Sequence, residues 1–258
     1  MALFQQHFWG YEITYPDDWV HATHGEVEAF AMHTQALNVE YKGAHMGYLL
    51  VRGEFNPYQK PIEPLWGQHL TKIAVMHAAK KVGSAPFQVG NAKGFEAELL
   101  LPRRDDRRMW VGLLSAGGII LHLMVTHRKA EKEEFQPVVS RMVASLRFAP
   151  QVEGVTLSPG GMPLPKGYQR ADPKSVYPQA DASSEWEAYT GEAASGALQI
   201  FYLREAPVYG WEALAFYPYP NTDPQIQHGQ LVLHKDGRGA VIHILPSGQI
   251  AIQYMEVG

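Results

Sequence analysis

Twelve histidines and no cysteine in 258 residues set the range of chemistry open to this chain. Without thiols there is no disulfide, thiolate zinc site, iron–sulfur cluster or cysteine nucleophile. Metal chemistry would fall to the histidines. His21-Ala-Thr-His24 has a local spacing that could supply two ligands. A bound metal needs further donors in fixed geometry, and no His-Glu-x-x-His or related motif supplies them. The pair reads as loop histidines. His69 and His77 are eight residues apart on a helical pattern. That is about two turns, too far for one ion, so they read as flanking a buried face. His234 and His243 sit on the two arms of a hairpin turning at Asp236-Gly237. That turn pairs Leu233 with Ala240, Leu231 with Ile242, Gln230 with His243 and His234 with Gly239. The two imidazoles then share a sheet face without standing opposite each other. No metal site and no cofactor are expected.

Other catalytic patterns are equally thin. There is no Gly-x-Ser-x-Gly elbow, and Ser140 and Ser145 belong to a helix and its end. Asp17-Asp18 lies in a Pro-Asp-Asp-Trp turn, where short carboxylates cap backbone groups. Gly160-Gly161 runs into Met-Pro-Leu-Pro, so no helix N-terminus follows to hold a phosphate. No catalytic residue is expected. Two surfaces stand out instead. Arg103, Arg104, Arg107 and Arg108 crowd a hairpin tip with two aspartates. Arginine forks suit carboxylates and phosphates, although internal ion pairing in a solvated loop explains the cluster as well. Tyr217 and Tyr219 lie in a proline-rich loop, Phe216 to Pro224, suited to recognition or to packing between domains.

The totals narrow the partners. Hydrophobic residues make up 46% and charged residues 19%, with a net charge of −4. A core is affordable, and there is no basic excess to neutralise nucleic acid. The longest apolar runs, such as Gly117 to Val125, fall far short of the ~20 residues that span a bilayer. The N-terminus lacks the basic and apolar regions of a signal peptide. A cytoplasmic location is therefore expected, in keeping with the missing cysteines.

The elements that must position these residues can be read in order. Tyr11–Tyr15 alternates like a strand, as does Gly47–Arg52, with Val27–Met32 and Ala36–Tyr41 as further strand candidates. Ile62 to Lys81 carries Trp66, Leu70, Ile73 and His77 at helical spacing. Strands follow over Pro86–Val89, Lys93–Leu101, Met109–Leu114 and Gly118–Thr126, and then a second helix from about Glu131 to Leu146. Pro137 places the regular start of that helix near Phe135. Residues 150–167 hold five prolines and glycines between Pro159 and Pro165 and read as a linker between domains 1–149 and 168–258. Glu185–Thr190 is a strand. Gly196 to Ala206 is ambiguous by pattern. Gln230–Leu245 is a hairpin, and Gln249–Met255 a last strand.

With these residues in place a resemblance can be stated. Gly10-Tyr-Glu-Ile-Thr-Tyr-Pro-Asp-Asp-Trp19, together with Glu134-Phe135 and Ser145-Leu-Arg-Phe148, resembles the opening and closing motifs of the Mog1/PsbP-like superfamily. The likeness spans roughly residues 4 to 149. The second part, with Phe201-Tyr-Leu-Arg-Glu-Ala-Pro-Val-Tyr-Gly-Trp211 and Lys235-Asp-Gly-Arg238, is similar to a small α+β module of uncharacterised bacterial proteins and lipoproteins. Ala206 stands where that pattern has leucine. The resemblance implies a helix over 196–206, an α+β fold of two small domains, each an antiparallel sheet covered by helices, and no catalytic residues to carry over. The function expected is a non-catalytic module that binds or assembles with a protein partner. The alternatives are a histidine-dependent metal or small-molecule enzyme, and a scaffold that self-associates.

Overall fold

The computed structural model describes residues 1–6, 9–38, 43, 46–56, 60–102, 107–116, 118–148, 152, 154–219 and 225–256. The chain is an α+β protein that divides into two compact units, residues 11–149 with 1–6, and residues 150–258 with 7–10. In the first, alternating sequences build β1 (Ala2–Gln6), β2 (Tyr11–Tyr15), β3 (Val20–His24), β4 (Val27–Ala31) and β5 (Tyr48–Phe55). Helix α1 (Ile62–His77) precedes β6 (Lys80–Lys81), β7 (Ala85–Val89), β8 (Ala92–Leu100), β9 (Arg107–Ala116) and β10 (Ile119–Arg128). Helix α2 (Lys132–Ala144) and β11 (Arg147–Phe148) close the unit.

Among the described residues the main sheet has eight strands in the order β3-β4-β5-β10-β9-β8-β6, with β7 also paired to β8. Side chains alternate between its faces. Met109, Val111 and Leu113 point to one face, where Trp66 and Ile73 of α1 join them with Ala97, Leu99 and Ile120 in one core. Arg108, Trp110 and Gly112 point to the other. There α2 buries Phe135, Val139, Met142 and Val143. Trp19 stacks on Phe135 with 5.4 Å between centroids and 8° between planes. A Cβ on Gly47 would collide with the same phenyl ring, so the backbone also closes in on it. The small sheet β1-β2-β11 lies on this face as well, through the edge contact of Phe4 with Phe30 at 5.5 Å.

The second unit contains β12 (Val155–Leu157), β13 (Pro163–Pro165), β14 (Gln169–Ala171), α3 (Pro173–Val176) and β15 (Glu185–Thr190). Helix α4 (Ser195–Val208) and β16 (Glu212–Tyr217), β17 (Gly229–Lys235), β18 (Arg238–Ile244) and β19 (Ile250–Glu256) follow. Six of these strands form an antiparallel sheet, β14-β15-β19-β18-β17-β16. Leu198, Phe201 and Tyr202 of α4 pack on Leu231, Leu233, Ala240, Ile242 and Ile252. The tail hairpin has the register read from its turn, Leu233 with Ala240 and Gln230 with His243.

Several expectations are corrected. Residues 150–167 are no linker: β12 pairs with β13, and Met162 and Leu164 are buried in the second core. Helix α2 starts at Lys132, so Pro137 lies inside it. Pro137 and Glu133 are both exposed, where water can take the carbonyl that proline leaves without a donor. Thr34–Leu37 is a 3₁₀ turn where a strand over 36–41 was expected, and residues 39–41 lie outside the described ones. Strands β1 and β3 were not foreseen, so His21 and His24 belong to a strand and not to a loop.

The former linker is fixed by a buried carboxyl group. Glu187, 2% exposed, accepts from the Gly160 backbone N–H at 2.8 Å and from the hydroxyls of Tyr189 and Tyr254, each at 3.1 Å. Burial, with Glu187 beside it, pushes the Tyr189 hydroxyl up to about 12, which keeps it a donor. Ser158 adds its hydroxyl to Tyr254 at 3.1 Å, and Trp211 donates to the Gly161 carbonyl at 3.2 Å. A Cβ on Gly160 would overlap the Tyr254 ring. Glu187→Ala would remove the acceptor shared by three donors and is expected to cost roughly 2–4 kcal/mol. Denaturant titration checks this against Glu185→Ala, which breaks an exposed pair with Arg238 and should change stability by less than about 1 kcal/mol.

Candidate functional site

The second face of the main sheet in the first unit is only partly covered, and a groove of about 870 Å³ opens beside α2. Its floor is set by strand register. Leu100, Arg108 and His127 form one row across β8, β9 and β10; Glu98, Trp110 and Val125 form the next; Glu96, Gly112 and Leu123 the third. Ala85, Phe87 and Val89 of β7 make one wall. Lys132, Gln136, Val139, Ser140 and Val143, at helical spacing along α2, make the other.

Trp110 is the centrepiece of the floor. Its indole lies over Gly112, whose missing side chain makes the space: a Cβ there would sit 2.7 Å from the ring. The indole N–H donates to Glu96 Oε2 at 2.9 Å, and the Phe87 ring meets it edge-on at 5.5 Å. Its rotamer is thus fixed before anything binds. His127 is 7% exposed and its Nδ1 lies 2.7 Å from the Arg128 carbonyl oxygen, so Nδ1 carries the proton.

The arginines expected to bind part company. Arg103 and Arg104 lie outside the described residues. Arg107 and Arg108 open β9 and point to opposite faces, Arg107 with its guanidinium 3.6 Å from Met46 Sδ and Arg108 into the groove. Tyr217 and Tyr219 belong to the second unit. Tyr217 ends β16 and is 47% exposed. Tyr219 is held through its backbone, donating to Gln199 Oε1 at 3.0 Å and accepting from Gln199 Nε2 at 3.0 Å. Residues 220–224 of that loop lie outside the described ones.

The histidines form pairs that sequence spacing could not reveal. In the first unit Glu54 Oε2 lies 2.8 Å from His122 Nε2, and His122 Nδ1 lies 3.2 Å from His69 Nδ1. Burial, then the neighbouring His122, lowers His69 to about 4. His77 of the same helix is exposed. In the second unit His228 Nε2 lies 3.0 Å from His243 Nδ1, and Tyr177 stacks on His243 at 4.4 Å. Burial, then His228, lowers His243 to about 4, and burial lowers His228. His21 lies 2.8 Å from the buried Glu28, which also accepts from Thr23 and Gln6. Among the described residues no three histidines or carboxylates are placed to hold a metal.

No family model matches the chain, and no curated protein matches it. Solved structures do. Cyanobacterial PsbP from Synechocystis sp. PCC 6803 matches 57% of this chain and 91% of its own at 12% identity, with a TM-score of 0.44. The protein PA94 of Pseudomonas aeruginosa, of unknown function, matches 58% of this chain and 99% of its own at 13% identity and a TM-score of 0.40. A protein of Bacteroides thetaiotaomicron VPI-5482 matches 96% of this chain and 87% of its own at 10% identity and a TM-score of 0.40. Likenesses of this size speak to neither activity nor partner.

The lowered histidines give the second unit a signed pH dependence. An unfolded imidazole titrates near 6.5 and folded His243 near 4, so between these values the unfolded chain takes the proton first. Stability present above pH 6.5 is lost as pH falls toward 4, by about 1–2 kcal/mol between pH 7 and pH 5. His243→Phe keeps a ring against Tyr177 and should flatten this slope in denaturant titrations at the two pH values.

Proposed function

We propose that this chain is a non-catalytic binding module that holds a protein partner in the groove between α2 and strands β7–β9 of its first unit. One observation carries the reading: a tryptophan fixed by three neighbours lies on the part of the sheet face that α2 and the small sheet leave open among the described residues. A half-open, mainly apolar groove with a few polar groups is the usual form of a recognition site. A preset aromatic anchor costs little entropy on binding. The polar groups are spread over successive rows of the sheet instead of meeting at one point, which suits recognition and not bond-making.

A second reading rests on the chain Glu54–His122–His69, an arrangement a general base could use. The free end of that chain, His69 Nε2, is enclosed and unpartnered among the described residues, with no room for a substrate. Binding is therefore preferred.

Affinity capture with the full chain tests the proposal. Trp110→Ala and the groove-filling Ser140→Arg are expected to lose the partner that the unaltered chain retains, with affinity falling roughly 30-fold or more for the tryptophan. Ser140 is exposed, so its replacement should leave the fold intact by circular dichroism. Tyr217→Ala in the second unit should bind as the parent does. Loss with Tyr217→Ala but not with the groove variants would move the site to the second unit.

A further inference from the structure

The indole of Trp110 has both carboxylates of the groove along one flank. Glu98 is its direct cross-strand neighbour on β8, and Glu96 is the neighbour of Gly112, over which the indole lies. Residues directly opposite on one sheet face have Cβ atoms about 5 Å apart, so the two acids stand close beside the ring. Glu96 is tied to it, its Oε2 accepting the indole N–H at 2.9 Å. Glu98 is exposed and has no hydrogen bond or ion pair among the described residues. The cations of the groove stand elsewhere. Arg108 is one row back from Trp110, and the indole extends the other way, toward Gly112. Neighbouring rows are ~6.6 Å apart, which puts about 13 Å of strand between Arg108 and Gly112. Lys132 follows β10 by a few residues and lies at the same end as Arg108.

The ring suits a cation. One of its faces rests on the backbone of Gly112, which leaves the other to the groove. The Phe87 ring stands perpendicular to it, 84° between planes, and closes one side. The face of an indole is negative, and donating its N–H to a carboxylate adds electron density there.

We infer that the groove seats an arginine side chain of the protein partner, with its guanidinium flat on the Trp110 indole and its N–H fork on the Glu98 carboxylate. This rests on the reading of the groove as the binding site. A guanidinium keeps all its N–H groups in its own plane, so when it stacks on a ring its donors aim sideways, at acids that flank the ring. Glu98 waits there in the row of Trp110, and Glu96 adds a second negative charge beside it. A lysine ammonium is a point charge whose donors spread in three directions, so it serves the ring or the acid less well. An apolar side chain would cover the ring and strip water from Glu98 without replacing its hydrogen bonds. An acidic side chain would meet two like charges.

Titration of the full, isotope-labelled chain with four blocked amino acids, followed at the Trp110 indole N–H resonance, decides this. The resonance is assigned as the one that Trp110→Phe removes. Nα-acetyl-arginine amide is expected to shift it saturably. It should bind at least about fivefold more tightly than the citrulline compound, which keeps the planar shape without the charge, and than the lysine and leucine compounds. Glu98→Gln should bring arginine down to the level of citrulline and leave citrulline unchanged, with the variant folded by circular dichroism. Citrulline or lysine binding as tightly as arginine overturns the assignment, as does an arginine preference that survives Glu98→Gln. A preference for leucine overturns it too but keeps the groove reading, because the ring is then an apolar contact. If no compound moves the resonance the inference falls, and partner capture by the groove variants decides the groove reading separately.

Discussion

A helix about 10 Å across covers about two strands spaced ~4.8 Å apart. The main sheet of the first unit is several times wider, and among the described residues its second face carries the single long helix α2. Where that helix sits decides everything else about the face. Phe135 fixes it, pressed between the Trp19 ring and the bare backbone of Gly47. The small sheet β1-β2-β11 shields the neighbouring part through Phe4 and Phe30. What remains uncovered among the described residues is the β8–β9 end, where the lining is mainly apolar with a few charged side chains. The groove is thus a by-product of layer geometry that the local sequence has furnished with an anchored indole and a few charged side chains.

The polar interior of the second unit obeys a related constraint. A carboxyl group that is 2% exposed is tolerated because three donors close on it, and two of those donors are tyrosines whose hydroxyls burial holds in the protonated form. The same logic keeps the His228–His243 pair neutral. Two neutral rings can share one N–H···N bond, and two charged rings at 3.0 Å could not. Both arrangements connect distant stretches of chain: Gly160 to Glu187, and His228 to His243.

Much of the fold was legible. The helical spacing of Trp66, Leu70 and Ile73, the alternation of β8 to β10 and the Asp236-Gly237 turn each reflect one local rule, and each element stands where that rule puts it. Helix α4 was ambiguous for a physical reason: Leu198, Gln199, Ile200 and Phe201 are all buried in succession, so no polar stripe marks its period. Residues 150–167 read as a linker because Met162 and Leu164 are two isolated apolar residues among prolines and glycines, and the carboxyl group that fixes this stretch lies 25 and 23 positions beyond them in sequence. The site was less legible than the fold. Of the two described arginines of the cluster Arg108 lines the groove and Arg107 does not, and Trp110 is not marked in the sequence because its setting comes from a bond to Glu96 on the next strand and from the space over Gly112. Two-residue spacing between Trp110 and Gly112 was the one available signal, and it means something only once both are known to share a face.

That spacing has an evolutionary corollary. With the indole lying over position 112, any side chain there would meet the ring at 2.7 Å, so glycine at 112 is obligatory only as long as position 110 is a large aromatic. A side chain at 112 is accommodated only together with a smaller residue at 110, so the two positions are expected to vary together.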